Sequence, residues 1–184
     1  MSEIRDPDVQ MLASLSQTIS TDYITDAPDP WEGSPFAWIR TRQSRQVGAI
    51  GEKLMAGWCA AKGCDVMRSN TTDYDRIVNG HRVEIKFSTL WTSGVYKFQQ
   101  IRDQDYDHMM CIGISPWDAS LWVLPKSVLL EKVIGTMGQH TGASGTDTAW
   151  LSFPATEPLE WMKPYGGRLS AAWEVIESLG MGEF

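Results

Sequence analysis

The sequence predicts an α/β fold, a mixed β-sheet of about five strands flanked by helices. Three observations predict it. A run of small and apolar residues at 44–62 has helical rhythm, an Asn79-Gly80 pair sits between alternating apolar segments, and two further apolar runs at 108–115 and 121–126 have the length of strands. At 184 residues the chain suits one domain spanning 1–184, long enough for a sizeable core and short for two.

The elements follow in order. Val9, Leu12, Leu15 and Ile19 recur at helical spacing and predict a first helix over 6–20. The stretch TDAPDPWEGSPF, with its prolines and acidic residues, reads as an irregular connection. The 44–62 helix should turn Val47, Ile50, Leu54 and Trp58 inward and stop at Gly63. CDVMRS is a short strand, and RIV-NG-HRVEIKFS is a β-hairpin, because Asn-Gly favours the tight turn that matches strand twist. Residues 96–105 connect it to the strand HMMCIGIS, and a turn at WDAS returns the chain through LWVLPK. A short helix over 127–133, a Gly- and Thr-rich loop at 135–147, an outer strand TAWLSF and a final helix LSAAWEVIESL complete the chain.

The formal net charge of −7 gives no global attraction to nucleic acid. That argues against a non-specific binder relying on phosphate contacts alone, but permits a local basic cleft in an acidic molecule. Cys59, Cys64 and Cys111 lack metal-type spacing and form no even set, which argues for a reduced compartment. Without a leader-like start or a long apolar run, the expectation is a soluble cytoplasmic protein with no membrane association.

The hairpin carries the chemistry. Glu84 and Lys86 share one face of their strand while Val83, Ile85 and Phe87 share the other, so the apolar face should pack and the charged pair be displayed. The Asn79-Gly80 turn folds Asp75 back along the Glu84 strand, and two neighbouring carboxylates repel unless a cation or proton lies between them. Oxygen ligands of this kind suit Mg²⁺, with Mn²⁺ as a substitute. Asp75, Glu84 and the Ile85 carbonyl are the expected ligands, and Lys86 beside them can orient a water and offset phosphate charge. Asp73 is a rival for Asp75, one strand period away.

The array Asp75, Glu84, Lys86 on a hairpin resembles the PD-(D/E)xK motif of the restriction-endonuclease-like nuclease superfamily, over roughly residues 45–125. Tyr74 stands where the motif usually has proline. The resemblance implies a restriction-endonuclease-like core, Asp75 and Glu84 as metal ligands and Lys86 as the catalytic lysine. It further implies a glutamate from the preceding helix, matched by Glu52 as a catalytic and metal-binding candidate, and a polar residue after the catalytic strand. Gln99 and Gln100 both qualify for the latter, with Gln100 preferred.

Arg40, Arg42, Arg45, Arg76, Arg82, Ser88 and Lys97 are candidate DNA contacts, placed in sequence around the hairpin and the Glu52 helix. The expected activity is Mg²⁺-dependent hydrolysis of double-stranded DNA by a restriction-type endonuclease. Cutting both strands calls for a homodimer or a partner subunit. A repair or Holliday-junction endonuclease would show the same residues, as would a non-catalytic DNA-binding subunit in which Lys86 only pairs with Glu84.

Overall fold

The computed structural model describes residues 6–23, 28–137 and 148–180, with the side chains of 20–23 left out. Most of the 135–147 loop, including His140, lies outside the described residues. The chain divides into two compact units, Met1–Glu32 and Gly33–Phe184. In the first, α1 (Pro7–Tyr23) begins where the Asp6 carboxylate accepts the Asp8 and Val9 amides, so an N-cap residue precedes the proline that opens the helix.

The second unit holds α2 (Ser44–Ala61), β1 (Val66–Arg68), β2 (Arg76–Val78), β3 (His81–Thr89), β4 (Val95–Ile101), β5 (His108–Ile114), β6 (Ala119–Pro125), α3 (Lys126–Lys132), β7 (Ala149–Pro154), β8 (Gly166–Arg168) and α4 (Leu169–Gly180). The main sheet is mixed, six strands in the order β1-β2-β3-β5-β6-β8, with β3 and β5 parallel and the other pairs antiparallel. This is the expected mixed sheet flanked by helices, one strand larger. The addition is β8, a Gly-Gly-Arg segment without strand propensity. It pairs because Gly166, at φ +136°, lies so close to the Leu121 carbonyl that a Cβ would be 2.2 Å from its oxygen.

β4 was expected only as a connection. It leaves the sheet and pairs with β7 in a separate two-stranded ribbon. Tyr96, Phe98 and Phe153 of that ribbon join Met109, Cys111 and Trp122 of the main sheet in one buried cluster. In the parallel register Met109 sits beside Glu84 and Cys111 beside Lys86, so the face carrying the charged pair is covered. The expectation of a displayed pair is therefore corrected: Glu84 is 8% exposed.

On α2 the buried stripe is Gly51, Met55 and Cys59, rather than Val47, Ile50, Leu54 and Trp58. The glycine decides the face. A Cβ at Gly51 would lie 2.3 Å from the Cβ of Phe87, so only a hydrogen there lets the helix rest on β3. Trp58 instead meets Trp173 of α4 edge to face at 5.8 Å. Gly51→Ala should gain about 1 kcal/mol of helix propensity but cost about 3 kcal/mol by overpacking against an atom that cannot rotate away. The expected net loss is about 2 kcal/mol, a fall of roughly 6 °C in Tm. Calorimetry checks it, and an added Phe87→Ala should recover little of the loss because the Cβ that the new methyl would meet at 2.3 Å stays in place.

Candidate active site

The hairpin positions the two carboxylates. The antiparallel register pairs Arg76 with Val83, and one residue earlier the Asp75 amide donates to the same Val83 carbonyl at 3.0 Å, a departure from the ladder that leaves the Asp75 carboxylate within hydrogen-bonding reach of Glu84. Like charges this close are unfavourable. Asp75 is held there by its own side chain, whose Oδ2 accepts the Ile85 amide at 2.7 Å. In an extended strand the N–H and C=O of one residue project to the same edge, so the Ile85 carbonyl leaves β3 on the Asp75 side, beyond Arg76, the first residue of β2.

Glu84 is held above the ordinary carboxylate range, chiefly by burial and further by the neighbouring Asp75, while Lys86 draws it down. The Lys86 Nζ lies 2.8 Å from Glu84 Oε1. Burial also raises the Tyr106 phenol and pushes the Cys111 thiol up to about 12, in a wall that excludes water behind the pair. A buried Glu84 beside a half-buried Asp75, with one lysine, is short of positive charge. A site of two carboxylates, a backbone carbonyl and room for water fits a hard cation such as Mg²⁺, which keeps several of its waters.

Glu52 projects from α2 into the same cavity, with its Oε2 3.7 Å from Arg76 Nη2. Burial raises its carboxyl, and the charge of Asp75 adds to the rise. Among the described residues no three carboxylate, histidine or cysteine side chains converge as a ligand cluster. Glu52 thus stands beside the Asp75–Glu84 pair, compensated by Arg76.

These groups face a cavity of about 830 Å³ whose lining includes Arg40, Arg42, Arg45, Lys86 and Lys97 against Glu52, Asp75 and Glu84. Cations outnumber anions in this cleft although the whole chain is acidic, which suits a polyanionic ligand. Ile85 and Ser88 also line it, as do Gln99 and Gln100. Asp73 is not among the lining residues; its amide donates to Thr71 Oγ1 in the preceding loop.

Three candidates for DNA contact have other engagements. The Arg82 guanidinium bonds both oxygens of Asp107, at 2.6 and 3.1 Å, and pairs with Asp105 at 2.5 Å. It pins the start of β5, holds the Asp107 carboxyl below its usual range, and does not line the cavity. Arg76 donates to the Asp75 carbonyl at 2.6 Å and lines a smaller groove with Lys53 and Arg68. Ser88 is 4% exposed; its hydroxyl donates to the Thr89 carbonyl and accepts the Lys97 amide, joining β3 to β4.

Gln99 and Gln100 enter through a feature the sequence hid. The β4–β7 register shifts between Phe98 and Ile101, and Gln100 has φ +57°. Such a bulge re-aims side chains, and the left-handed conformation costs a non-glycine residue about 1 kcal/mol. Gln100→Gly should therefore leave Tm unchanged or raised by up to about 3 °C while slowing any reaction that uses the amide. Thermal melts beside activity assays check both halves. Trp91 and Thr92, at the turn between β3 and β4, also line the cavity and were not foreseen. The signal for Trp91 was an aromatic placed just past the strand of Glu84 and Lys86.

The sequence matches no protein-family description and no curated protein. Among solved structures, the fold is similar to that of a bacterial homing endonuclease, I-Ssp6803I, at 16% identity and a TM-score of 0.49, over 75% of this chain and 94% of that one. No helix among the described residues is long and apolar enough to cross a membrane.

Proposed function

We propose that this chain is a divalent-metal-dependent endodeoxyribonuclease that hydrolyses phosphodiester bonds in double-stranded DNA. The observation that carries the reading is the Asp75–Glu84 pair, close enough that Asp75 raises the Glu84 carboxyl, with Lys86 2.8 Å from Glu84, in a cleft lined by arginines. Asp75, Glu84 and the Ile85 carbonyl would hold Mg²⁺ or Mn²⁺. Such an ion would polarise a phosphate oxygen and acidify water.

The chain's own residues do the rest. Arg40, Arg42 and Arg45 neutralise the DNA backbone and fix its register in the cleft. Lys86 braces Glu84 and presents an ammonium to the charge that develops on the scissile phosphate, and to the attacking water. Gln100, or Gln99 beside it, offers an amide to the same water or phosphate. Burial of Glu84 keeps competing solvent away from that carboxylate.

One such site cuts one strand, so restriction-type cleavage calls for a homodimer or a partner subunit in the cytoplasm. The exposed indole of Trp91 in the cavity wall favours a second reading, a structure-specific endonuclease. The test is incubation of supercoiled plasmid and linear phage DNA with Mg²⁺, Mn²⁺ or EDTA, comparing the protein with Lys86→Ala. Discrete bands that need metal and lysine support restriction. Cleavage confined to junctions or single-strand branches supports the second reading, and intact DNA of every form with retained binding points to a non-catalytic DNA-binding subunit.

A further inference from the structure

Trp91 opens the turn between β3 and β4 and is 45% exposed. Its position is fixed. The Trp91 amide donates to the Val95 carbonyl at 3.0 Å, the Gly94 amide returns to the Trp91 carbonyl at 2.8 Å, and Gly94 takes the positive φ, +74°, that closes the turn. Lys97 Nζ lies 3.9 Å from the centre of the indole, and the Lys97 amide is tied to Ser88 Oγ at 2.9 Å. A cation on an indole at this distance is attracted to the ring's negative face and polarises it. Both residues line the cavity that holds Asp75, Glu84 and Lys86.

A large aromatic surface left in water beside a phosphate-binding cleft has a specific use. In intact duplex DNA the faces of the bases are stacked against each other and only their edges reach the grooves, so an indole has no face to stack on. An unpaired nucleotide offers both faces, and stacking on an aromatic side chain tolerates any base. Lys97, beside the indole, can neutralise the phosphate of that nucleotide, and the same cavity is lined by Gln99, Gln100 and Lys86.

We propose that Trp91, backed by Lys97, is a stacking platform that selects DNA carrying an unpaired nucleotide next to the scissile phosphate. The substrate class is branched, flapped or gapped DNA, and the inference rests on the nuclease reading of the adjoining carboxylates. Trp117, 67% exposed and outside the cavity lining, provides a control for the loss of any surface tryptophan.

The experiment is fluorescence anisotropy with a labelled duplex and a splayed-arm DNA of the same sequence, in EDTA so that no cleavage occurs. Trp91→Ala should weaken binding of the splayed arm by roughly tenfold and of the duplex by less than about twofold, with Trp91→Phe retaining most of the preference and Trp117→Ala all of it. An equal loss on both DNAs, no loss on either, the same loss from Trp117→Ala, or no binding to either DNA would overturn the platform. Cleavage of the splayed arm in Mg²⁺ by the wild type and by Lys86→Ala is followed separately. Preference without cleavage sinks the nuclease reading and leaves the platform standing; cleavage without preference does the reverse.

Discussion

Lys86→Ala should lower metal-dependent cleavage at least a hundredfold while leaving DNA binding within about twofold, because the lost ammonium acts on charge that develops in the reaction and not on the resting backbone. The same variant leaves Glu84 buried without its partner at 2.8 Å. Removing one member of a largely buried pair strands the other, and the cost here should be about 2 kcal/mol, roughly 6 °C in Tm, since Lys86 is 18% and Glu84 11% exposed at the side chain. Millimolar Mg²⁺ should return part of that stability, for the cation then supplies the missing charge. Lys86→Arg separates the two roles of the lysine. A guanidinium keeps the charge but cannot give up its proton at neutral pH. Retention of substantial activity would assign Lys86 to electrostatic stabilisation, and loss as deep as in Lys86→Ala would assign it to proton transfer or to a geometry that only an ammonium fits. Single-turnover rates on plasmid, with melts of each variant, decide the matter. Unchanged cleavage in Lys86→Ala would refute the site.

The core of this arrangement was legible in the sequence because it is local. Period-two alternation placed Glu84 and Lys86 on one face, and Asn79-Gly80 fixed the turn that brings Asp75 across, with φ +49° and +82° at its two central residues. What covers that face was not legible. The ribbon of β4 and β7 joins segments about fifty residues apart, and nothing in YKFQQI announces that it will leave the main sheet. The bulge at Gln99 and Gln100 is likewise a property of pairing with β7 and has no signature of its own. Apolarity pointed to the wrong stripe of α2, because the closest helix–sheet approach uses the smallest residue, Gly51, and not the largest ones. Arg82 is engaged away from the cavity: the run Asp103, Asp105, Asp107 contains the two acids that capture it. Arg40, Arg42 and Arg45 form a basic run just before the Glu52 helix in the sequence, and all three line the cavity with Glu52.

Asp75→Asn should do two opposite things, abolish cleavage and stabilise the metal-free protein. The asparagine oxygen can still accept the Ile85 amide that Asp75 holds at 2.7 Å, so the hairpin keeps its geometry. The charge beside Glu84 is gone, and removing a like charge this close should gain about 1 kcal/mol, roughly 3 °C in Tm. The sign with pH follows from Glu84, whose carboxyl is held above its ordinary range by burial first and by Asp75 as well. As pH rises from the acid side, the unfolded chain ionises this group before the folded one does, so the folded state loses stability between the ordinary carboxylate range and the raised value. The advantage of Asp75→Asn should therefore be full near neutral pH and shrink as acid protonates Glu84 in both proteins. Metal reverses the ranking. A cation held by Asp75, Glu84 and the Ile85 carbonyl would stabilise the wild type by about 1.4 kcal/mol at a tenfold excess over its dissociation constant, and should add little to a variant that has lost a ligand. Melts with EDTA and with Mg²⁺, across pH, give four curves per pH. A wild type that gains nothing from Mg²⁺ or Mn²⁺ while Asp75→Asn remains the more stable protein would mean that the paired carboxylates are strained for some purpose other than holding a cation.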